Sequence, residues 1–179
     1  MRRTAFILAL AIGLTTLGAT TASACGDKLL ALGTGMRFVQ QLAAHPGSLL
    51  LYARPGSASA PILLNPKFQD ALIDVGHKVT IVTTEKELKS AMASGSFDIL
   101  VVDQADAESL SKEFASDSTA PFVLPVVCNG TRAQASQAAR EFGCALRAPD
   151  RKGRYLGTVD RAMKIKLARE GGETSGAGR

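Results

Sequence analysis

From Ser48 onward the sequence alternates short apolar runs with amphipathic stretches, and this alternation restricts the fold more than any other feature. Leu49-Leu50-Leu51-Tyr52-Ala53, Val79-Thr80-Ile81-Val82, Ile99-Leu100-Val101-Val102, Phe122 to Val127 and Cys144-Ala145-Leu146 are the five runs. They are short and continuously apolar, as strands buried on both faces are. Pro125 is an awkward interruption of the fourth. The stretches between them read as helices. Asn65-Pro66 is a cap followed by proline at the first helical position, with Phe68, Ala71, Leu72 and Val75 on one face and Gly76 as a stop. Thr84 and Glu87 form a capping box ahead of Leu88, Ala91 and Met92, closed by Gly95. Leu110 and Phe114 mark the next helix, and Thr131 caps one carrying Ala135, Ala138, Ala139 and Phe142. The last places Leu156, Val159, Ala162 and Met163 on one face. Strands alternating with helices predict an α/β protein: a doubly wound five-stranded parallel sheet in three α/β/α layers, strand order 2-1-3-4-5.

The first 24 residues read differently. Arg2 and Arg3 precede an apolar run from Ala5 to Leu17, and small residues end in Ala22-Ser23-Ala24. This is the three-part plan of a secretory signal, with an apolar run too short to span a bilayer. Residues 1–24 are expected to be a signal peptide, 25–47 an N-terminal extension, 48–168 the folded domain and 169–179 a disordered tail. Cleavage after Ala24 leaves Cys25 first, and with it two routes: soluble export to the periplasm or beyond, or lipidation on Cys25. A membrane partner is expected only on the second route.

Composition narrows the function classes. Loss of Arg2 and Arg3 takes the net charge from +5 to +3, too little to argue for nucleic acid. At 5% aromatic residues and no tryptophan, the chain lacks the rings of a base-stacking platform. Gly33-Thr34-Gly35 has neither the further glycines nor the lysine of a phosphate loop. His45 and His77, the only histidines, stand beside turn residues and read as surface positions; no Cys-x-x-Cys and no Gly-x-Ser-x-Gly occur. No acid–base pair or nucleophile arrangement stands out, so the expectation is no enzyme, no metal and no cofactor.

Over about residues 48–168 the chain resembles the receiver domain of bacterial response regulators, a CheY-like, flavodoxin-like family. Phe97-Asp98-Ile99-Leu100-Val101-Val102-Asp103 is similar to the receiver strand that ends in the phosphate-accepting aspartate, and Asp103 is the match. Phe142 to Pro149 resembles the fifth receiver strand, which ends in lysine then proline; Arg147 falls near that lysine, with Ala148 intervening. The departures lie in the chemistry. Receivers hold Mg²⁺ with two acidic residues at the end of the first strand, where this chain has Tyr52-Ala53-Arg54-Pro55. They place a hydroxyl at the end of the fourth strand, where this chain has Cys128-Asn129. One carboxylate is a poor Mg²⁺ site, and without the ion a transferring phosphoryl group lacks its main partner.

Two accounts of Asp103 follow. In one, Arg54 or Arg147 replaces the cation and locks the degenerate pocket of Asp103, Arg54, Cys128 and Arg147 with a permanent ion pair. In the other, Asp103 is a solvent-facing cap for the next helix. The expected function is an exported, non-catalytic pseudo-receiver for interaction with a protein partner or for sensing. The alternative is a periplasmic binding protein for a small anion, held at the strand ends by Arg54, Thr83, Asp103 and Asn129. Of the three cysteines, Cys128 and Cys144 fall at opposite ends of neighbouring strands, too far apart to bridge; Cys25 pairing with Cys144 is the disulfide expected if Cys25 is not lipidated.

Overall fold

The computed structural model describes residues 42–114 and 120–174, all of them within one compact unit. The expected signal peptide, Cys25 and most of the expected extension lie outside the described residues. Five strands form one parallel sheet: β1 (Ser48–Tyr52), β2 (Lys78–Val82), β3 (Ile99–Asp103), β4 (Phe122–Cys128) and β5 (Leu146–Ala148). Their order is β2-β1-β3-β4-β5, as the alternation predicts. Between and after them run α1 (Ala60–Leu63), α2 (Pro66–Asp74), α3 (Glu85–Ser94), α4 (Gln104–Phe114), α5 (Arg132–Phe142) and α6 (Lys152–Thr174). No helix among the described residues is long and apolar enough to cross a membrane.

The period of two along a strand sorts the core into two layers. Leu49, Leu51, Ile99, Val101 and Leu124 face one side, against Phe68 and Leu72 of α2 and Val159, Ala162 and Met163 of α6. Leu50, Tyr52, Leu100 and Val102 face the other, against Leu88 of α3 and Ala107 and Leu110 of α4. Helices start where the sequence caps them. The Asn65 side chain accepts from the Lys67 N–H, and both Thr84–Glu87 and Thr131–Gln134 close reciprocal capping boxes.

Four expectations need correction. β5 is Leu146–Ala148 rather than Cys144 to Leu146, because its pairing with β4 runs from Val126↔Leu146 to Cys128↔Ala148. Pro125 does not break β4. The Phe122 N–H donates to Asp98 on the β3 side and the Asn129 N–H to Ala148 on the β5 side, so N–H groups at odd positions face β5. Pro125 thus lacks a donor only where β5 has not yet begun. α6 continues to Thr174, past the expected tail boundary, and Lys166 is the reason. Its stem is buried while its Nζ donates to the Ala120 carbonyl at 2.7 Å and pairs with Glu170 at 3.0 Å. Finally, His77 is 4% exposed rather than a surface residue; its Nδ1 accepts the Gly47 N–H at 3.2 Å.

Candidate functional site

The carboxyl ends of β1 and β3 lie side by side, and the sequence puts Arg54 just beyond one and Asp103 at the end of the other. They are not an ion pair. Arg54 Nε donates to Asp106 Oδ2 at 2.9 Å, one turn into α4. Arg147 is held elsewhere, with an Nη 3.5 Å from Asp150. Alternation along β5 sends Arg147 and Ala148 to opposite faces, so the position directly before Pro149 is filled by the buried, uncharged Ala148. The permanent lock on Asp103 is therefore absent.

Asp103 is a cap, but not a solvent-facing one. It is 7% exposed. One carboxylate oxygen accepts the Ala105 N–H at 3.0 Å, where α4 begins, and the other accepts the Ser59 N–H at 2.8 Å. Ser59 is the N-cap of α1, and it reaches Asp103 because the Pro55–Gly56–Ser57 loop folds back. Gly56 takes φ +81°, the left-handed region that glycine allows, and the Ser57 N–H donates to the Arg54 carbonyl at 3.0 Å. Ser57 and Ser59 are buried, their hydroxyls 3.4 Å apart. The two oxygens of Asp103 thus serve backbone donors from two places, the first turn of α4 and the loop that leads into α1.

The remaining expected residues are engaged separately. Thr83 gives both its N–H and its hydroxyl to Glu87, at 2.9 and 3.1 Å, and these donors with Thr84 hold the Glu87 carboxyl below the usual carboxylate range. Asn129 has φ +51°, and its N–H donates to the Ala148 carbonyl at 2.7 Å. Cys128 is half-buried; burial, and to a lesser degree Asp103, push its thiol pKa up, which is the opposite of an activated cysteine. Asp150 is held low by the Arg151 N–H and then by Arg154 and Arg147. Cys128 and Cys144 are free thiols, and the expected Cys25–Cys144 bridge involves a residue outside the described ones; the Cys144 thiol donates to the Thr158 carbonyl at 3.6 Å. Of the expected anion-binding edge, Arg54 alone borders the main cavity, a groove of about 720 Å³ between α3 and α4.

Sequence reasoning missed Ser59, Asp106 and Tyr52. Ser59 carried a signal, since serine two residues before Pro61 is a helix N-terminus pattern. Asp106 carried a signal as well, as the acidic residue in the first turn of α4.

No family model and no curated protein sequence matches the chain. Solved structures do. NtrX from Brucella abortus, in complex with ADP, superposes with a TM-score of 0.57 at 17% identity, over 73% of this chain and 29% of that one. The signal receiver domain of a putative LuxO repressor protein from Vibrio parahaemolyticus gives 0.53 at 13% identity, over 70% of this chain and 96% of that domain. The chain has the fold of a response-regulator receiver domain. The chemotaxis response regulator CheY4 of Vibrio cholerae agrees, with a TM-score of 0.50 at 17% identity, over 66% of this chain and 99% of its own. The chain thus spans under a third of the length of NtrX and nearly all of the two shorter receivers.

Proposed function

We propose that this protein is a non-catalytic pseudo-receiver, exported from the cytoplasm, which works by contact with a protein partner or as a sensing module and is not phosphorylated. The observation that carries the reading is the double engagement of Asp103. Attack on a phosphoryl donor needs a carboxylate oxygen free to approach phosphorus in line. Here each oxygen is held by a backbone N–H, and the buried Ser57–Ser59 loop lies against the carboxylate. No carboxylate stands at Tyr52-Ala53-Arg54 to share a divalent ion, and the one cation nearby, Arg54, is taken by Asp106. Export rests on the Arg2-to-Ala24 sequence.

The test is incubation of the protein with acetyl phosphate and Mg²⁺, read by intact mass. The expected result is no phosphoryl adduct at any time point. An adduct that disappears in Asp103→Asn overturns the reading. The same spectrum on protein from the native host reports export, through a mature chain beginning at Cys25, with or without lipid.

A further inference from the structure

Positive charge gathers in the last strand and helix. Residues 144–170 carry eight lysines and arginines against three carboxylates, whereas residues 42–143 carry eight against eleven. The densest part is the turn from β5 into α6, where Arg147, Arg151, Lys152 and Arg154 stand beside one carboxylate, Asp150. Lys152 is matched from outside by Asp74, which leaves a surplus of two positive charges. α6 has no acidic residue in its first turn, although the start of a helix is its positive end and favours anions. Two of these cations converge. Arg147 Nη2 and Arg154 Nη1 lie 3.5 and 3.4 Å from the same oxygen, Asp150 Oδ2. Both contacts are long for a charge-assisted hydrogen bond, which is about 2.7–2.9 Å. The Arg147 side chain is only 35% exposed, yet its guanidinium makes no hydrogen bond among the described residues. Asp150 itself is fixed: its N–H donates to the Tyr155 hydroxyl, and its Oδ1 accepts the Arg151 N–H at 2.8 Å. Both arginines line a pocket of about 190 Å³, together with Asp150, Tyr155, Gly157 and Thr158. Gly157 leaves that wall open, since nothing stands within 4 Å of an added Cβ.

We infer that this pocket binds a tetrahedral oxoanion of two negative charges, a phosphate or sulfate group, held by Arg147 and Arg154. Each guanidinium turns N–H donors from Asp150 Oδ2 toward the anion oxygens, where the planar fork allows two bonds per arginine. Asp150 keeps the two forks together, and the surplus of positive charge matches the dianion. The pocket takes a group of this size and excludes a large organic ligand, since drug-sized ligands occupy about 300–1,000 Å³. The inference goes beyond the reading of Asp103 and does not rest on it, because none of these residues touches that carboxylate.

Inorganic phosphate, sulfate and perchlorate separate charge from shape, since all three are tetrahedral and perchlorate carries a single charge. Titrated at constant low ionic strength with chloride as the balancing anion, phosphate at pH 8 and sulfate should bind saturably. Amide chemical shifts should move in residues 145–158, and the thermal midpoint should rise. Perchlorate should bind about tenfold more weakly. Arg147→Gln and Arg154→Gln should each weaken phosphate about tenfold, as loss of a hydrogen-bonded charge does. Arg147→Lys keeps the charge and loses the fork, and should weaken it nearly as much. Lys89→Gln, on α3 across the sheet from α6, removes a charge elsewhere and should leave binding unchanged. The Arg154 side chain is 68% exposed, so Arg154→Gln carries the test if circular dichroism shows that Arg147→Gln fails to fold. Vesicles of phosphatidylcholine with phosphatidic acid distinguish a lipid headgroup from the free ion. Cosedimentation that is lost in Arg154→Gln assigns the site to the headgroup, and phosphate binding without cosedimentation assigns it to the free ion. The absence of saturable binding of phosphate and sulfate, perchlorate binding as tightly as they do, or Lys89→Gln weakening phosphate as much as Arg154→Gln each overturns the inference.

Discussion

At the scale of the residue, Asp103 joins the end of β3 to the start of α4 and to the loop ahead of α1 through one carboxylate. That makes its role structural, with a measurable sign. Asparagine at this position keeps one acceptor and turns an amide N–H toward a backbone N–H that was satisfied. A buried donor left without an acceptor costs about 1–3 kcal/mol. Asp103→Asn should therefore lower the urea midpoint by that amount with an unchanged slope, and Asp103→Ala, which strands both donors, should lower it more. A midpoint equal to that of the parent would contradict the bridging role. The contrast with receiver chemistry is direct: an aspartate kept for phosphorylation must hold its oxygens free, whereas one kept for a joint must hold them bonded. The identity of the residue was legible in Phe97-to-Asp103, but its partners were not. Ser59 arrives from 44 positions earlier in the chain, and only the loop conformation at Gly56 decides that it arrives there. The partner of Arg54 was hidden for a similar reason, because Asp106 enters from the first turn of α4 rather than from the end of β3.

At the scale of the element, the helices differ in how their glycines act. Gly143 ends α5 at φ +83°, with the nearest side-chain atoms at 3.8 and 4.0 Å from an added Cβ. Space is available there, so the cost of Gly143→Ala is that of the left-handed backbone alone, about 1 kcal/mol. Gly157 lies inside α6 with nothing near an added Cβ. Gly157→Ala should raise stability by about 0.5–1 kcal/mol through helix propensity. Opposite shifts of the thermal midpoint in the two variants would bear this out, and shifts of one sign would not. Capping boxes made α3 and α5 readable, because a cap is local and spelled within four residues. The end of α6 was not readable, since Gly171 and the charges around it gave a stop signal. Contacts of Lys166 with Ala120, distant in sequence, override that signal. β5 was displaced by two residues because Cys144 is as apolar as a strand residue, while Arg147 in the actual strand is not.

At the scale of the whole molecule, the parallel sheet was legible in five apolar runs; β1, β3 and β4 are covered on both faces, while the edge strand β2 is largely exposed and β5 partly so. The sequence pattern therefore reached the fold further than the site, whose chemistry depends on which distant groups meet. His77 is a second example. It joins the start of β2 to Gly47 ahead of β1, near Asp160 of α6 and Asp98 ahead of β3. Burial holds its pKa below the ordinary 6.5, against the opposing pull of Asp160 and Asp98. The folded chain thus binds this proton less readily than the unfolded chain. Stability is greatest above 6.5, falls as pH drops below that value, and levels off once the folded His77 is itself protonated. The difference in unfolding free energy between the parent and His77→Gln should accordingly narrow on going from pH 7.5 to 5. A constant difference would remove His77 from the acid response.

Pro125 has a consequence for how copies of this chain meet. On its β5-facing side, β4 runs unpaired until Val126, and an unpaired flank of apolar strand is a template on which a foreign strand can add. At Pro125 that flank offers no hydrogen to a newcomer. The residue that looks like a flaw in the strand thus falls where the ladder asks for no hydrogen, and it withholds one from any foreign strand at that point.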